Sequence, residues 1–322
     1  MTLDLSVLNP AQRDAVATTE GPLLVLAGAG SGKTRVITYR IAQIVGELGV
    51  EPGRILAITF TNKAAAEMRS RLAALVGPVS RSMWVSTFHA LCVRILRREA
   101  DLLGHTASFT IYDEDDRKRM MGLVLAELDI DAKRFPASMF VGRISSAKND
   151  LISPEEYELT ASTPPEKLTA KVFPVYQQRL VQANAMDFDD LLSGTVKLFR
   201  EHPEALERWR GRFSYILVDE YQDTNHAQYE LVNMLAAPHR NLMVVGDDDQ
   251  SIYSWRGADI RNILDFERDY PDATVVKLEQ NYRSTQLILD AAHAVVKNNA
   301  SRKDKKLWTE NAGGRPIQRF EA

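Results

Sequence analysis

The sequence predicts an α/β protein in which a mainly parallel sheet, bearing a phosphate-binding loop, is interrupted by an inserted α-helical domain. Three observations carry this expectation. Apolar runs alternate with helix-like stretches from Leu23 to about Arg98 and resume at Phe213, the order that builds parallel strands with covering helices. Between the first run and the first helix lies the glycine-rich Ala27-Gly-Ala-Gly-Ser-Gly-Lys-Thr34. From about Glu99 to Met186 the texture changes to long helical segments without buried-strand runs.

The loop follows the strand-like Pro22-Leu-Leu-Val-Leu26 and precedes a helix over Arg35 to Val45. A strand, a glycine-rich turn and a helix in that order cradle phosphate, because glycine lets backbone N–H groups turn inward and a helix N-terminus favours an anion. Lys33 then reaches the β- and γ-phosphates, and Thr34 holds Mg²⁺. The strict pattern begins with glycine, whereas this one begins with Ala27. The alternative is a glycine-rich turn that merely carries Lys-Thr.

The remaining elements follow in order. A strand is expected at Ile55-Leu-Ala-Ile-Thr-Phe60, a helix from Lys63 to Leu75, a strand at Met83-Trp-Val-Ser86 and a helix from Thr87. Met120, Met121, Val124, Leu125 and Leu128 stand at helical spacing after the acidic Asp113-Glu-Asp-Asp116, which suits a helix N-terminus, and they read as core. Ser153-Pro154 and Thr163-Pro-Pro165 mark turns. Strands return at Phe213 to Val218, Asn241 to Gly246 and Ala273 to Leu278, with helices near Asn225 to Leu235 and Ser284 to Lys297. The expected domains are 1–98 and 187–277, two parts of one sheet domain, 99–186, the helical insert, and 278–322, the opening of another domain. There is no internal repeat.

Composition bounds the class. At 322 residues the chain exceeds one ordinary domain of about 150. Apolar content of 45% and charged content of 26% are those of a globular protein. A net charge of -3 excludes a uniformly basic nucleic-acid binder but leaves room for a basic patch. The lone cysteine, Cys92, forms no internal disulfide, which points to a reducing compartment. The start, Met-Thr-Leu-Asp-Leu, is no signal segment, and no run of about 18 apolar residues occurs, so a cytoplasmic protein without membrane partners is expected.

Two further stretches carry chemistry. Ile216-Leu-Val-Asp-Glu220 is a buried strand ending in two acids, the expected second half of a triphosphatase site. Asp219 serves Mg²⁺, and Glu220 orients or deprotonates the attacking water; the alternative is a helix N-cap with surface acids. Val245-Gly-Asp-Asp-Asp-Gln250 ends a third strand and places Gln250 to sense the γ-phosphate. In the following Ser251-Ile-Tyr-Ser-Trp-Arg-Gly257, Tyr253, Trp255 and Arg256 offer a stacking platform for unpaired bases. The alternative is a tryptophan anchoring two layers of core.

Seven ordered stretches resemble the N-terminal half of superfamily-one DNA helicases of the UvrD, Rep and PcrA type. They are Leu8-Asn-Pro-Ala-Gln12, Ala27 to Thr34, Thr59-Phe-Thr-Asn-Lys-Ala-Ala65, Ser86-Thr-Phe-His89, Val218-Asp-Glu-Tyr-Gln-Asp-Thr-Asn225, Gly246 to Ala258 and Leu278-Glu-Gln-Asn-Tyr-Arg-Ser-Thr285. The resemblance implies a RecA-like sheet and a P-loop NTPase site for ATP and Mg²⁺. It implies nucleotide contacts from Gln12, reading the adenine edge, from Ala27, Gly28, Ala29, Gly30, Ser31, Gly32, Lys33, Thr34 and Arg35, from Tyr282 stacking on the base, and from Arg283 at the γ-phosphate. It implies a single-strand track lined by Phe60, Asn62, His89, Tyr253, Trp255 and Arg256. His89 reads equally as a satisfied histidine at a strand-to-helix turn, and zinc is not expected, because Cys92 alone stands near it and a structural site takes four ligands.

Asp187-Phe-Asp-Asp190 resembles a stretch of the same family and reads equally as a helix start packing Phe188 inward. The basic run from Arg302 to Lys306 is either a contact to DNA phosphates or a solvated charge run. By resemblance the activity is 3′ to 5′ ATP-dependent translocation on single-stranded DNA in repair or replication. Its partners are single-stranded DNA, single/double-strand junctions and repair or replication proteins. Family members are longer and close the ATP site with a second RecA-like domain that supplies another arginine. This chain is therefore expected to be an N-terminal fragment that binds nucleotide with weak or no hydrolysis. The competing readings are an ATP-switched module that binds single-stranded DNA or a partner without unwinding, and a helicase–nuclease subunit.

Overall fold

The computed structural model describes residues 3–299 and 302–318. Among these the strands are β1 (Leu23–Ala27), β2 (Ile55–Thr59), β3 (Trp84–Thr87), β4 (Thr110–Tyr112), β5 (Ala185–Asp187), β6 (Tyr215–Val218), β7 (Leu242–Gly246) and β8 (Thr274–Leu278). Six of them form one sheet in the order β3-β2-β6-β7-β1-β8, while β4 pairs only with β5. Every pairing is parallel, and Val25 of β1 lies level with Val245 of β7 and Val276 of β8. The expected α/β fold with a parallel sheet is the fold observed.

The chain divides into two compact units. One comprises the residues up to Thr87, Arg210–Thr224 and the residues from Ala236 on; the other comprises Phe88–Trp209 and Asn225–Leu235. In the first, β1, β2, β6 and β7 are buried at every position. Helices cover both faces of a parallel sheet, so its central strands read as unbroken apolar runs. Leu23, Val25 and Ala27 pack with Val36, Ile37, Ile41 and Ile44 of the helix Lys33–Gly46 and with Met68 and Leu72 of the helix Asn62–Val76. Strand β8 lies at the sheet edge, with Thr274 and Lys277 exposed; a charged side chain on an edge discourages further pairing.

The second unit is mainly helical. Met120, Met121, Val124 and Leu125, from the helix Glu114–Glu127, pack with Phe140, Ile144, Val172, Phe173, Tyr176 and Leu180, so the methionine stripe is core as expected. This unit begins at Phe88 rather than Glu99, because the helix Phe88–Glu99 buries Leu91, Cys92, Ile95 and Leu96 and packs on the helix Phe188–Glu201. It continues to Trp209 rather than Met186 for the same reason. The three-residue β4 and β5 escape a search for apolar runs, being too short to show one. No helix among the described residues is long and apolar enough to cross a membrane.

Asp187 starts the helix Phe188–Glu201 as a reciprocal cap: it accepts from the Asp190 N–H at 2.9 Å, and Asp190 accepts from the Asp187 N–H at 3.0 Å. Phe188, however, is half exposed and does not pack inward. The buried Lys148 lies 2.9 Å from Asp187 and 2.7 Å from Asp190, and the Tyr176 hydroxyl donates to Asp187 at 3.0 Å. Burial works against the Asp187 charge, but Lys148 and Arg117 outweigh it and hold the carboxyl down to about 2. Removing one partner of such a group leaves an uncompensated buried charge. Lys148→Met is accordingly expected to lower the unfolding free energy by about 3–5 kcal/mol, read from urea midpoints. Arg119→Met, which loses one exposed pair with Asp116, is expected to shift it by about 0.5 kcal/mol or less.

Candidate nucleotide site and aromatic loop

In a parallel sheet all strands end at one edge, and ligands bind outside those carboxyl ends. Here β1 ends in the glycine loop, β6 in Asp219 and Glu220, β7 in Asp247 to Gln250, and β8 leads to Gln280 to Arg283. Strand β7 lies between β6 and β1, with its register set by Val218 against Val244 and Val25 against Val245. The acids, Gln250 and the loop are thereby neighbours along one sheet edge.

Within the loop, Gly30 and Gly32 have φ of 71° and 93°, left-handed values that favour glycine. A Cβ at Gly30 would lie 2.7 Å from Asn281 Nδ2 and 2.8 Å from Arg283 Cβ. Ser31 is buried and donates its hydroxyl to the Gly28 carbonyl at 2.7 Å. No side chain caps the helix Lys33–Gly46, whose N-terminus is formed by Gly32. An uncapped helix start at a glycine turn offers its N–H groups to phosphate oxygens.

Asp219 is buried, and its N–H donates to Ile58 O at 2.9 Å. Its carboxyl is pushed up to about 7 by burial and then by the Glu220 charge, with Lys33 pulling the other way. Glu220 has φ 51°, a left-handed conformation that costs a non-glycine residue about 1–3 kcal/mol and clusters at functional sites. Lys33 Nζ lies 3.2 Å from Glu220 Oε2. Gln222 donates to the same Glu220 oxygen at 3.0 Å and accepts from the Asp247 N–H at 3.0 Å. Gln250 donates its amide to Asp247 Oδ2. A continuous polar chain therefore runs from Lys33 to Gln250. Thr34 offers a hydroxyl and Asp219 a carboxylate, hard oxygen donors of the kind that Mg²⁺ takes.

Gln12 is fully buried. Its amide donates to Ser31 O at 2.9 Å and accepts from the Asn9 N–H at 3.2 Å, closing the cap of the helix Pro10–Ala17. Tyr282 is half exposed; its hydroxyl accepts from Asn9 and donates to Gln280, each at 2.9 Å, and the Arg35 guanidinium lies 6.0 Å from its ring centre. The Tyr282 N–H donates to Gly30 O at 3.0 Å, and Arg283 follows it beside the loop, exposed.

Two contributors were not foreseen. Asn281 donates to Ala29 O and accepts from the N–H groups of Arg283 and Ser284, clamping loop to strand end. Gln222 links the two acid turns. Both lie inside stretches quoted for the resemblance, but their roles follow from position in space, which spacing does not reveal.

Residues 8–271 match the family described as UvrD/REP helicase N-terminal domain. The chain belongs to that family. It is 55% identical over 315 residues to the ATP-dependent DNA helicase PcrA of Staphylococcus epidermidis, covering 98% of this chain and 43% of that one. With PcrA of Staphylococcus aureus the identity is 54% over 318 residues, covering 99% and 44%. The chain thus spans less than half the length of these relatives. The UvrD/REP family and its RecA-like sheet are those the seven stretches implied.

The aromatic loop follows directly on Gln250. Trp255 is 72% exposed, so it anchors no core, and its ring centre lies 6.3 Å from that of Tyr253. Gly257, with φ 83°, closes the turn. The Arg256 side chain lies outside the described residues. Phe60 and Asn62 follow the end of β2, Asn62 exposed as the first residue of its helix. His89 belongs to the helical unit, where it meets the half-exposed Phe188 edge to face at 5.7 Å. Burial lowers its pKa and Asp189 partly restores it. The basic run is only in part a solvated one: Lys305 is buried, Arg302 and Lys303 pair with Asp249 and Glu267, and Lys306 is exposed.

Gly30→Ala combines left-handed strain with a collision against Asn281 and Arg283. It is expected to weaken MgATP binding by about tenfold or more, a cost of at least 1.4 kcal/mol, measured by equilibrium titration. Gly49→Ala is the control, since Gly49 has φ 67° but open space around it; it is expected to lower stability by about 1 kcal/mol and leave nucleotide affinity unchanged.

Proposed function

We propose that this chain is the ATP-binding portion of a motor that moves 3′ to 5′ along single-stranded DNA, acting at single/double-strand junctions with repair or replication proteins in the cytoplasm. The observation that carries the reading is the hydrogen-bonded line from Lys33 through Glu220, Gln222 and Asp247 to Gln250, which ends three residues before Tyr253. One end suits a triphosphate; the other suits a base.

The triphosphate lies on the N–H groups of Ala27 to Thr34, with Tyr282 against the adenine and Arg283 at the γ-phosphate. Gln12, fully buried, holds Ser31 from behind and so keeps the loop in place rather than meeting the base itself. When Lys33 turns to the phosphates, Glu220 loses its ammonium partner and its carboxylate is free to accept a proton from water. That water attacks the γ-phosphorus as the bond to ADP breaks. Thr34 and Asp219 would hold Mg²⁺, which would supply charge neutralisation to the phosphate oxygens. Gln250 gains or loses the γ-phosphate in each cycle, and the turn it starts carries Tyr253, Trp255 and Arg256, so grip on a base follows nucleotide state.

Stabilising the transition state requires charge on both sides of the phosphate, and the described residues supply one side. A second reading, an ATP-switched module that holds single-stranded DNA or a partner without unwinding, is favoured by that one-sidedness.

Nucleotide binding is expected to vanish with Lys33→Ala, and unchanged affinity would remove the assigned site. Trp255→Ala is expected to weaken single-stranded DNA binding by about 1–3 kcal/mol while nucleotide affinity stays. ATP turnover with and without single-stranded DNA, beside Glu220→Gln as a blank, separates the two functions. Turnover near the blank with binding intact favours the switched module for this chain alone. DNA-stimulated turnover that disappears in Glu220→Gln means the motor's site is complete as it stands.

A further inference from the structure

The segment from Arg302 to Thr309 forms no helix, and its one pairing is a bridge between Trp308 and Gln280, yet it contains a buried lysine. Lys305, 4% exposed, places Nζ 2.9 Å from Asp247 Oδ1 and 2.8 Å from Asp249 Oδ2, and it also donates to Asp248. Carboxylate oxygens of these three acids lie within 4.8 Å of one another, close enough to repel strongly when ionised. An ammonium has three donors and no acceptor, which matches three carboxylates. Burial opposes the charge on Lys305, but the acids outweigh it and hold its pKa above the usual lysine value.

Asp247 is the same carboxylate that accepts from Gln250. Two residues beyond Lys305, the Leu307 side chain lies over the phosphate loop, where a Cβ on Gly28 would come within 2.3 Å of it. Trp308 then donates its N–H to Glu279 O at 3.0 Å and accepts from the Asn281 N–H at 2.8 Å, and Asn281 holds Ala29. One strap thus touches both the turn that carries Gln250 and the loop that carries Lys33.

We propose that Lys305 is a positioning residue of the nucleotide site: by neutralising Asp247, Asp248 and Asp249 it fixes the turn on which Gln250 meets the γ-phosphate and ties that turn to the phosphate loop. This rests on the reading of Ala27 to Thr34 as an ATP loop and of Gln250 as its γ-phosphate contact. Without the ammonium the three acids separate or take up protons, Asp247 no longer aims Gln250, and the site loses discrimination between tri- and diphosphate. A contact that only stabilised the fold would change affinity for both nucleotides alike.

The test measures binding of N-methylanthraniloyl-ATP and N-methylanthraniloyl-ADP, each with Mg²⁺, to the 322-residue chain and its variants. Gln250→Ala is expected to reduce the ATP-over-ADP preference. Lys305→Met is expected to reduce it by about five- to tenfold, the scale of an ordinary coupling, to add nothing in the Gln250→Ala background, and to be largely restored by Lys305→Arg. Should Lys305→Met not fold, Asp247→Asn breaks the same link and is expected to give the same loss of preference. Equal weakening of both nucleotides, no change, or additivity with Gln250→Ala overturns the proposal. Failure of the chain itself to bind either nucleotide overturns the ATP-loop reading beneath it, and an unshifted preference in Gln250→Ala overturns the Gln250 reading; each is a result distinct from a silent Lys305.

Discussion

Parallel pairing is the constraint on which the sheet unit depends. Because β6, β7, β1 and β8 run side by side in one direction, whatever follows each strand emerges at the same edge. Four segments far apart in sequence become one polar surface without any of them being long. Burial on both strand faces makes that edge rigid, since every position in the central strands is packed. The chemistry is carried by what the strands leave exposed when they stop.

At that edge the polar groups hold one another. Lys33 meets Glu220, Gln222 joins Glu220 to the Asp247 backbone, Gln250 joins Asp247, and Lys305 closes the series. Where these groups are buried, as at Lys305 and Asp247, such bonds are stronger than at a surface, and an unpaired member would be costly. The raised Asp219 carboxyl and the left-handed Glu220 mark the place where the arrangement stores cost instead of relieving it. A cation beside them would offset the charge of the two carboxylates.

The helical unit solves a similar electrostatic problem by different means. Lys148 meets Asp187 and Asp190, and Arg117 meets Asp187 and Asp189, at the start of one helix, so the acidic stretch that resembles one of the family is in large part a cap with buried counter-ions. Phe188, lying within it, stays outside the core. The same reasoning applies to the basic segment near the end of the sheet unit, where Arg302 and Lys305 are matched by aspartates more than fifty residues earlier.

The sequence by itself determined the six strands of the larger sheet, the glycine loop after β1, the two acids after β6 and the family, because each is written in a short stretch: a continuous apolar run, a glycine pattern, a strand ending in carboxylates. It also marked Tyr253 and Trp255 as a platform or an anchor without choosing, since hydrophobicity is the same in both cases and only the observed exposure separates them. Tertiary structure alone decided that the helix beginning at Phe88 leaves the sheet unit, that Gln12 is a buried cap, that Asn281 and Gln222 clamp the loop, and that Lys305 lies among three aspartates. These are pairings between residues distant in the chain, fixed by strand order and register. A charged or amide side chain carries no mark in sequence of the partner that the fold will bring to it.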